Sequence, residues 1–482
     1  MIDSTHDNLA FRNKYPEFVF DSFEYELGMT GLHVTYTYTL GEHTFKPTVD
    51  IPIANSEESD FNDDFLKYLL FNFGVINAIN YYKLSCAPKF VVKAGFLDEE
   101  QKIFFKKLFF YGLGEFMYVN NLPFTYEEFV TIECPNAVEG QKAPHFQIQD
   151  KFEGNLIPVG GGKDSAVTLE ALAPMHDQNT CFQYNRNLYP ENAAALACMK
   201  AAGYRMEDIA NFNLTIDPLL LELNEQGYYN GHVPFSSGLA FASYIVAYLK
   251  RKAYIVLSNE ASANEVNIAG THINHQYSKS FEFESDFQHY CDRYFTTQIR
   301  YFSLLRCLNE FGIIQRFIRH PVYLSIFRSC NVGTKENKWC GHCAKCLYVY
   351  IMLYPFVSDV KLWQIFGRNM LDDPDLLDIF IGLVRPDATK PFECVGTREE
   401  ISYSIDKGIA LKPEQNPVLY DYYKKNLKVE SSGYGVEEYF NPQHNIPEQY
   451  LEMLMHPEKF TEQSKSEPAG EENTWNTTSL IS

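Results

Sequence analysis

The sequence lacks any apolar run that approaches the roughly 18 residues needed for a membrane-spanning helix. Its first residues, M-I-D-S-T-H-D-N, also lack the basic and then apolar order of a secretory signal peptide. We therefore expect a cytoplasmic protein that does not contact a membrane. In that reducing compartment the eleven cysteines are not expected to form a set of disulfides.

Basic residues are also scarce: 41 Lys and Arg stand against 62 Asp and Glu, which gives a formal net charge of −21. An acidic chain repels polyphosphate backbones, so the composition argues against a nucleic-acid partner. With 482 residues, of which 45% are hydrophobic, the chain is long enough for two or three domains with sizeable cores.

One stretch in the middle of the chain carries the strongest chemical signal, L-I-P-V-G-G-G-K-D-S at residues 156–165. An apolar strand stops at three glycines, and a helix follows from Asp164. Glycines let the backbone approach an anion, and the first N–H groups of a helix bind negative charge. The lysine-containing P-loop pattern is absent, because no glycine stands five residues before Gly162. The stretch therefore predicts a phosphate or pyrophosphate site, unless it is a glycine-rich turn of an ordinary α/β protein.

Alternating strands and helices surround this loop. We predict strands at residues 156–159, 180–184, 211–216 and 254–258, with helices between them. This order predicts an α/β fold with a doubly wound parallel sheet, in which ligands bind beyond the carboxyl ends of the strands. We expect an N-terminal α+β domain at 1–150 with a β-meander, the α/β domain with a zinc knuckle at 151–355, a helical C-terminal region at 356–462 and a disordered tail at 463–482.

Polar residues follow the predicted strand ends. Tyr184 and Asn185 follow the second strand, and the fourth runs into S-N-E-A-S-A-N-E, which contains Asn259, Glu260 and Glu265. Two carboxylates within six residues suit Mg²⁺ or proton transfer, although such residues can also be solvated caps.

A polar loop follows with two histidines and a lysine, His272, His275 and Lys279. These residues suit contacts to phosphate or carboxylate, or general acid/base work. His232 is a weaker candidate of the same kind. Glu115 and Asn120 are the residues of the N-terminal region that we expect to face the active site.

Four cysteines follow the spacing C-x9-C-x2-C-x2-C, namely Cys330, Cys340, Cys343 and Cys346. Tight C-x-x-C turns suit tetrahedral zinc, so we predict a structural Zn²⁺; an iron–sulfur cluster would use the same thiolates. His342 is the less suitable ligand because four cysteines suffice. Cys394, further on, is either a proton-transfer thiol or a buried core cysteine.

The glycine loop resembles the S-G-G-x-D-S loop of the ATP pyrophosphatases, with Gly160 in the place of the serine. The resemblance implies a doubly wound fold of that type, ATP as cosubstrate and Mg²⁺ on Asp164. It also implies adenine near the end of the second strand, and further metal ligation by Glu260 or Glu265. The residues expected to bind ATP are Gly160, Gly161, Gly162, Lys163, Ser165, Tyr184, Asn185 and Asn259.

The combination of motifs is more specific. V-G-G-G-K-D-S, S-N-E-A-S-A-N-E, N-H-Q-Y-S-K-S, H-P-V-Y-L-S-I-F-R-S-C-N and W-C-G-H-C-A-K-C, in this order, resemble the UDP-N-acetylmuramoyl-L-alanyl-L-glutamate epimerase family (the MurL type). The resemblance implies peptidoglycan precursor synthesis, with a nucleotide-sugar dipeptide as small-molecule substrate and release of AMP and pyrophosphate. The expected catalytic residues are Asp164, Lys163, His272, His275, Lys279 and Glu260, with the roles of His272, His275 and Lys279 drawn from loop position and residue type. Arg328 would neutralise substrate phosphates.

Three alternatives stay open at this point. An amide- or nitrile-forming enzyme such as 7-cyano-7-deazaguanine synthase would share the loop and the zinc spacing. A tRNA-modifying adenylating enzyme would need a basic face, which the net charge of −21 disfavours. A zinc-stabilised nucleotide sensor would bind ATP without forming AMP.

Overall fold

The computed structural model describes residues 9–53, 61–138, 140–427 and 435–460. The predicted disordered tail at 463–482 lies outside these residues, as does the N-terminal octapeptide. Among the helices of the described ranges, none has both the length and the apolarity needed to cross a bilayer.

The strands form one mixed sheet in the order β11-β10-β7-β8-β9-β4-β2-β1-β5-β6, with β3 paired to β2. Their bounds are β1 Glu17–Gly28, β2 Gly31–Leu40, β3 His43–Phe45, β4 Thr48–Pro52, β5 Lys89–Val92, β6 Thr131–Glu133, β7 Asn155–Pro158, β8 Asn179–Arg186, β9 Ile209–Thr215, β10 Tyr254–Leu257 and β11 Arg300–Ser303.

The half of the sheet from β7 to β11 is parallel throughout. Its order, β11-β10-β7-β8-β9, runs outwards in both directions from β7, as in a doubly wound fold. The predicted parallel α/β arrangement is therefore present. The order reverses between β7 and β10, and this is the point where such sheets bind ligands.

The meander of β1 to β4 belongs to the same sheet. Strand β4 pairs antiparallel with β9, at Thr48–Thr215 and Val49–Leu214. Strand β5 pairs parallel with β1, and β6 parallel with β5. The N-terminal strands thus extend the parallel half into a larger mixed sheet. Residues 134–150, between β6 and β7, contain no helix or strand among those that the structure describes.

Helices cover both faces of the sheet. They are α1 Ala10–Lys14, α2 Asp63–Asn77, α3 Ile79–Tyr82, α4 Glu99–Gly112, α5 Gly114–Val119, α6 Tyr126–Phe129, α7 Lys163–Ala171, α8 Ala193–Ala201, α9 Leu219–Glu225, α10 Phe235–Leu249, α11 Phe281–Tyr294, α12 Glu310–Phe317, α13 Ala344–Leu353, α14 Asp359–Phe366, α15 Leu377–Val384, α16 Arg398–Leu411, α17 Val418–Asn426 and α18 Glu448–Met455.

The central strands supply two hydrophobic cores because successive side chains point to opposite faces. Leu156 and Ile255 belong to one core, which also includes α2, α10 and the N-terminal strands. Ile157 and Val256 belong to the other core, which includes α7, α12 and α13. Burial on both faces of the sheet explains why the sequences of β7 and β10 are apolar. Polar residues are found instead in the loops that follow the carboxyl ends of these two strands.

Candidate active site

A cavity of about 420 Å³ lies at the carboxyl ends of β7, β8 and β10. It collects residues from the glycine loop, from the loop after β10 and from the segment before α16. Those that bear on chemistry are Gly160, Gly162, Asp164, Ser165, Tyr184, Asn259, Glu260, Lys279, Arg328, Lys345 and Cys394. The cavity therefore brings together most of the predicted ATP-binding residues and two of the predicted catalytic ones beyond the loop, Glu260 and Lys279.

The glycine loop is shaped by its contacts with α8. Gly161 has a φ of +82°, and a Cβ at this position would lie 2.5 Å from the backbone nitrogen of Ala195. Asn192 caps α8 and donates from Nδ2 to the Gly160 carbonyl at 3.1 Å. The hydroxyl of Ser165 accepts from the Gly160 N–H at 3.0 Å. Gly162 then caps α7, so the first N–H groups of that helix lie beside the cavity, as an anion site requires.

Lys163 is held beneath the loop. Its side chain is 1% exposed, and its ammonium contacts the carboxylates of Asp164 and Glu310. Burial alone would lower the pKa of Lys163, but these two carboxylates raise it above its ordinary value. Burial would likewise raise the pKa of Asp164, yet Lys163 and then Lys345 lower it. Lys163 therefore acts from below as the counter-ion of Asp164, and its side chain does not line the cavity.

Lys163→Met is expected to lower the free energy of unfolding by about 3–5 kcal/mol, because it leaves buried carboxylates without their cation. Chemical denaturation of the purified variant measures this loss. A matched control is Lys425→Met, since Lys425 forms an exposed i,i+4 pair with Asp421 and its loss is expected to cost at most about 1 kcal/mol. Equal losses in the two variants would contradict the role of Lys163.

A second charged cluster lies on the other side of the cavity. Lys279 Nζ donates to Cys394 Sγ at 3.2 Å, and His275 also acts electrostatically on this sulfur. The other side of the cluster is Glu115 of α5, whose carboxylate contacts His275 Nδ1. The ring of His232 lies 4.3 Å from that of His275, centroid to centroid.

The electrostatics of this cluster favour an ion pair. Burial alone would raise the pKa of Cys394, but Lys279 and His275 lower it to about 5. Burial alone would lower the pKa of His275, but its interactions with Cys394 and Glu115 raise it to about 9. The pKa of His232 falls to about 3, through burial and the charge of His275. At neutral pH the cluster thus holds a thiolate between an ammonium and an imidazolium.

Several predicted residues lie elsewhere. His272 is exposed and lines a separate, largely apolar cavity of about 710 Å³ with residues of α4 and α5. Asn185 donates to the side chains of Asn211 and Asn213 on the neighbouring strand. The carboxylate of Glu265 pairs with Lys390, which is 3% exposed. The structure therefore places His272, Asn185 and Glu265 outside the cavity lining.

One wall of the cavity is aromatic. Tyr184 at the end of β8 lies 5.3 Å from Phe235 at the start of α10, centroid to centroid. The guanidinium of Arg186 lies 4.9 Å from the Phe235 ring. On the far wall, Asn259 donates to Ser303 Oγ at 3.0 Å. A planar aromatic ligand would find stacking surface at the end of β8.

The four predicted zinc ligands form a cluster beside this cavity. The sulfur–sulfur distances are 3.9 Å for Cys330–Cys343, 3.7 Å for Cys340–Cys346 and 3.5 Å for Cys343–Cys346. A tetrahedron with zinc–sulfur bonds of about 2.3 Å has edges of about 3.8 Å. The Gly333 N–H donates to Cys330 Sγ at 3.1 Å, as expected for a thiolate. The donor set and its spacing therefore fit a zinc ion.

His342 stays out of this cluster, because its ring contacts the guanidinium of Arg368. A second group of possible ligands consists of Glu115, His232 and His275. Here the carboxylate is already in direct hydrogen-bonding contact with His275, which accounts for the grouping without an ion.

The cysteine cluster is linked to Cys394 through α13. Lys345, next to Cys346, donates from its backbone N–H to Glu393 at 3.0 Å, and its ammonium contacts the Cys394 carbonyl. Arg328, next to Ser329 in the same segment, donates its backbone N–H to the Gly161 carbonyl at 2.9 Å. Its guanidinium donates to the carbonyls of Ser325, Phe327 and Asn337. Through Lys345 and Arg328, the residues around the cysteine cluster thus contact both Cys394 and the glycine loop, which lie on two walls of the cavity.

Three contributors were not expected from the sequence. Glu310 opens α12 and pairs with Lys163, Asn192 clamps the glycine loop, and Lys345 holds the Cys394 backbone. Asn192 lies at the start of a helix and Lys345 lies between two of the clustered cysteines, so their positions in the sequence could have indicated them. Glu310 is not adjacent to any predicted motif.

Comparison with known proteins yields matches along most of the chain. Residues 10–304 match the family model described as the MurL N-terminal domain, and residues 322–425 match the MurL C-terminal domain. No solved structure matches the chain.

Three curated relatives carry the name UDP-N-acetyl-alpha-D-muramoyl-L-alanyl-L-glutamate epimerase. The protein of Xanthomonas oryzae pv. oryzae is 32% identical over 73% of this chain and 77% of its own length. That of Salinispora tropica is 32% identical over 80% of this chain and 82% of its own. A Micromonospora protein is 31% identical over 91% and 97%, respectively.

Proposed function

Since this chain belongs to the MurL epimerase family, we propose that it inverts the terminal L-glutamate of UDP-N-acetylmuramoyl-L-alanyl-L-glutamate to D-glutamate and consumes ATP in doing so. The epimerase function predicted from the sequence motifs is confirmed by this membership. The use of ATP, Mg²⁺ and Zn²⁺ is the further part of the proposal.

One observation supports the ATP step: a single cavity holds the N-terminus of α7 on one side and the Lys279–Cys394 pair on the other. Phosphates of ATP fit against the N-terminus of α7, between Gly160 and Ser165. Adenine fits against Tyr184 and Phe235. The substrate α-carboxylate would then attack the α-phosphorus, and an acyl-adenylate and pyrophosphate would form.

Adenylation explains how the α carbon becomes acidic. A carboxylate places negative charge beside the Cα–H, which opposes removal of that proton. The acyl-adenylate carries no charge on its carbonyl, so the electron pair left at Cα can move onto the carbonyl oxygen. The ammonium of Lys279, whose pKa is raised mainly by the charge of Cys394, is placed to stabilise that oxygen. Hydrolysis after inversion releases AMP.

The cavity also offers oxygen ligands for magnesium. Asp164 and Glu260 both line it, and they approach closely enough for the charge of Asp164 to add to burial in raising the pKa of Glu260. Two carboxylates that repel each other in this way fit a divalent cation. Bound Mg²⁺ would neutralise charge on the ATP phosphates and on departing pyrophosphate.

Zinc would have a structural role. Four cysteine thiolates complete a tetrahedral site and leave no open position for substrate. Cys330, Cys340, Cys343 and Cys346 would hold the ion, which would fasten the segment before α13 to the glycine loop and to Cys394.

The direct test is incubation of the purified protein with ATP, Mg²⁺ and the UDP-linked dipeptide in D₂O, followed by chiral analysis of released glutamate and a nucleotide assay. We expect D-glutamate with deuterium at Cα, together with AMP. AMP without inversion would move the acceptor to an amide-forming or thiolating reaction. Inversion without AMP would contradict the ATP step.

A further inference from the structure

Inversion requires a group that accepts the α proton, and few titratable side chains of the cavity lining can do so. Asp164 is committed to the ammonium of Lys163 at the phosphate end. Lys279 has a raised pKa, so its nitrogen is protonated and has no free electron pair. The guanidinium of Arg328 is likewise always protonated. Glu260 has a raised pKa through burial and Asp164, which favours its protonated form when no cation is bound.

Cys394 differs from these residues. It reaches the cavity from the segment before α16, and its sulfur lies 3.2 Å from Lys279 Nζ. Lys279 and His275 hold it as a thiolate, with a pKa of about 5. The pair with Lys279 also puts a cation beside the place where negative charge develops when a proton leaves the α carbon.

We propose that the thiolate of Cys394 removes the α proton of the activated glutamyl residue, and that His275, held by Glu115, positions the sulfur. This inference rests on the function proposed above. The three interacting side chains come from distant parts of the sequence. Glu115 lies on α5, His275 in the loop after β10 and Cys394 before α16. Cys394 is thus the catalytic residue, and His275 and Glu115 are positioning residues.

The proposed proton transfer needs only the substrate, Cys394 and water. The Cα–H bond breaks, its proton passes to sulfur, and its electron pair moves onto the acyl oxygen as an enolate. A water molecule on the opposite face then gives a proton to Cα as the carbonyl re-forms, and becomes hydroxide. The Cys394 thiol loses its proton to solvent, where that proton neutralises the hydroxide, so the thiolate and the water are restored. In D₂O the new α hydrogen is therefore deuterium.

A thiolate could instead attack the acyl carbonyl and form a thioester. Cys394 would then be consumed as a nucleophile, and the described cavity lining would retain no uncommitted proton acceptor. The arrangement therefore favours proton removal, and the two roles leave different products on the protein.

The test compares Cys394→Ala and Cys394→Ser with the wild-type protein in two assays. The first is exchange of pyrophosphate into ATP in the presence of the dipeptide substrate, which reports adenylation. The second is deuterium uptake at Cα with inversion. For both variants we expect exchange to persist and deuterium uptake to fall about 100-fold or more. A matched control is Cys291→Ala, because Cys291 is buried on α11 away from the cavity lining; it is expected to keep both activities.

Three outcomes separate the possibilities. Inversion at near wild-type rates in Cys394→Ala would overturn the proposal. A hydroxylamine-sensitive mass increase on Cys394, after wild-type protein is quenched with ATP and substrate, would overturn it in favour of the thioester. A wild-type protein that neither exchanges pyrophosphate nor forms AMP would instead contradict the proposed ATP step.

The thiolate can also be followed without turnover. Alkylation of Cys394 by iodoacetamide, read by peptide mass spectrometry, is expected to vary little between about pH 6 and 8, since the pKa is about 5. In His275→Gln, which keeps a hydrogen-bonding side chain but loses the charge, the midpoint is expected to rise by about one pH unit. The charged groups around the sulfur are Lys279, His275, Lys345, Glu260 and Glu393. An unchanged midpoint in His275→Gln would contradict the positioning role.

Discussion

Asp164→Asn is expected to reduce AMP formation about 1,000-fold, because it removes a carboxylate that lines the cavity at the N-terminus of α7, where we propose that the nucleotide phosphates bind. Asparagine has nearly the same shape, so the backbone of the glycine loop can persist. It lacks the negative charge that would hold Mg²⁺ and that balances Lys163. Release of AMP and pyrophosphate at saturating ATP measures the effect, and the magnesium dependence of ATP binding measures its cause.

The control for this variant is Asp177→Asn. Asp177 is fully exposed between α7 and β8, so its amide is expected to leave turnover within about twofold of the wild type. Denaturation curves of both variants show whether any loss follows from unfolding. If Asp164→Asn turned over within threefold of the wild type, the proposed role of Asp164 and of the glycine loop in the ATP step would be wrong.

The parallel half of the fold was predictable because its signals are local. Strands β7 and β10 are short apolar runs, β8 and β9 mix apolar with polar residues, and the glycine loop marks the strand that begins the winding. Strand β11, Arg300–Ser303, was not predicted, because it runs directly into Leu304 and Leu305 and no polar loop marks its end. The pairing of β4 with β9 was also not predicted, since alternation along a strand shows which face is buried and not which strand lies beside it.

The site was predictable in part for the same reason. The carboxyl ends of the parallel strands β7, β8 and β10 lie at one edge of the sheet, which explains why Asp164, Tyr184 and Glu260 line the same cavity. Contacts across long stretches of chain give no such signal. Glu115 meets His275 at a separation of 160 residues, and Lys279 meets Cys394 at 115.

The polar loop after β10 shows the limit of spacing arguments. His272 and His275 stand three residues apart, which suggested a pair, but this stretch is not helical: His272 lines the apolar cavity, whereas His275 contacts Glu115. Lys163 was expected at the phosphates and is instead buried against Glu310. In both cases residue type indicated a polar function, and the packing of distant elements decided which partner the residue meets.

Cys343→Ser is expected to abolish stoichiometric zinc binding and to destabilise the chain by several kcal/mol. Structural zinc sites contribute about 10–16 kcal/mol of binding free energy in small domains, and metal binding to a folded site is coupled to folding. Here the cluster includes the start of α13, since Cys343 caps this helix and Cys346 lies in its first turn. The helix is buried in one core, so loss of the ion releases an element on which the cavity depends. Metal analysis after dialysis against a chelator, together with denaturation curves, measures both effects.

The matched control is Cys134→Ser, because Cys134 lies in the segment after β6 and outside the cluster; it is expected to keep one zinc ion per chain.

Removal of zinc is also expected to affect the active site. Since Lys345 and Arg328 fasten Cys394 and Gly161 from the same segment, removal of zinc should impair adenylation and proton transfer together. A metal-free variant with unchanged stability would show that the sulfurs form an ordinary core cluster. Loss of zinc with full activity would show that the contacts of Arg328 and Lys345 hold the cavity without the ion.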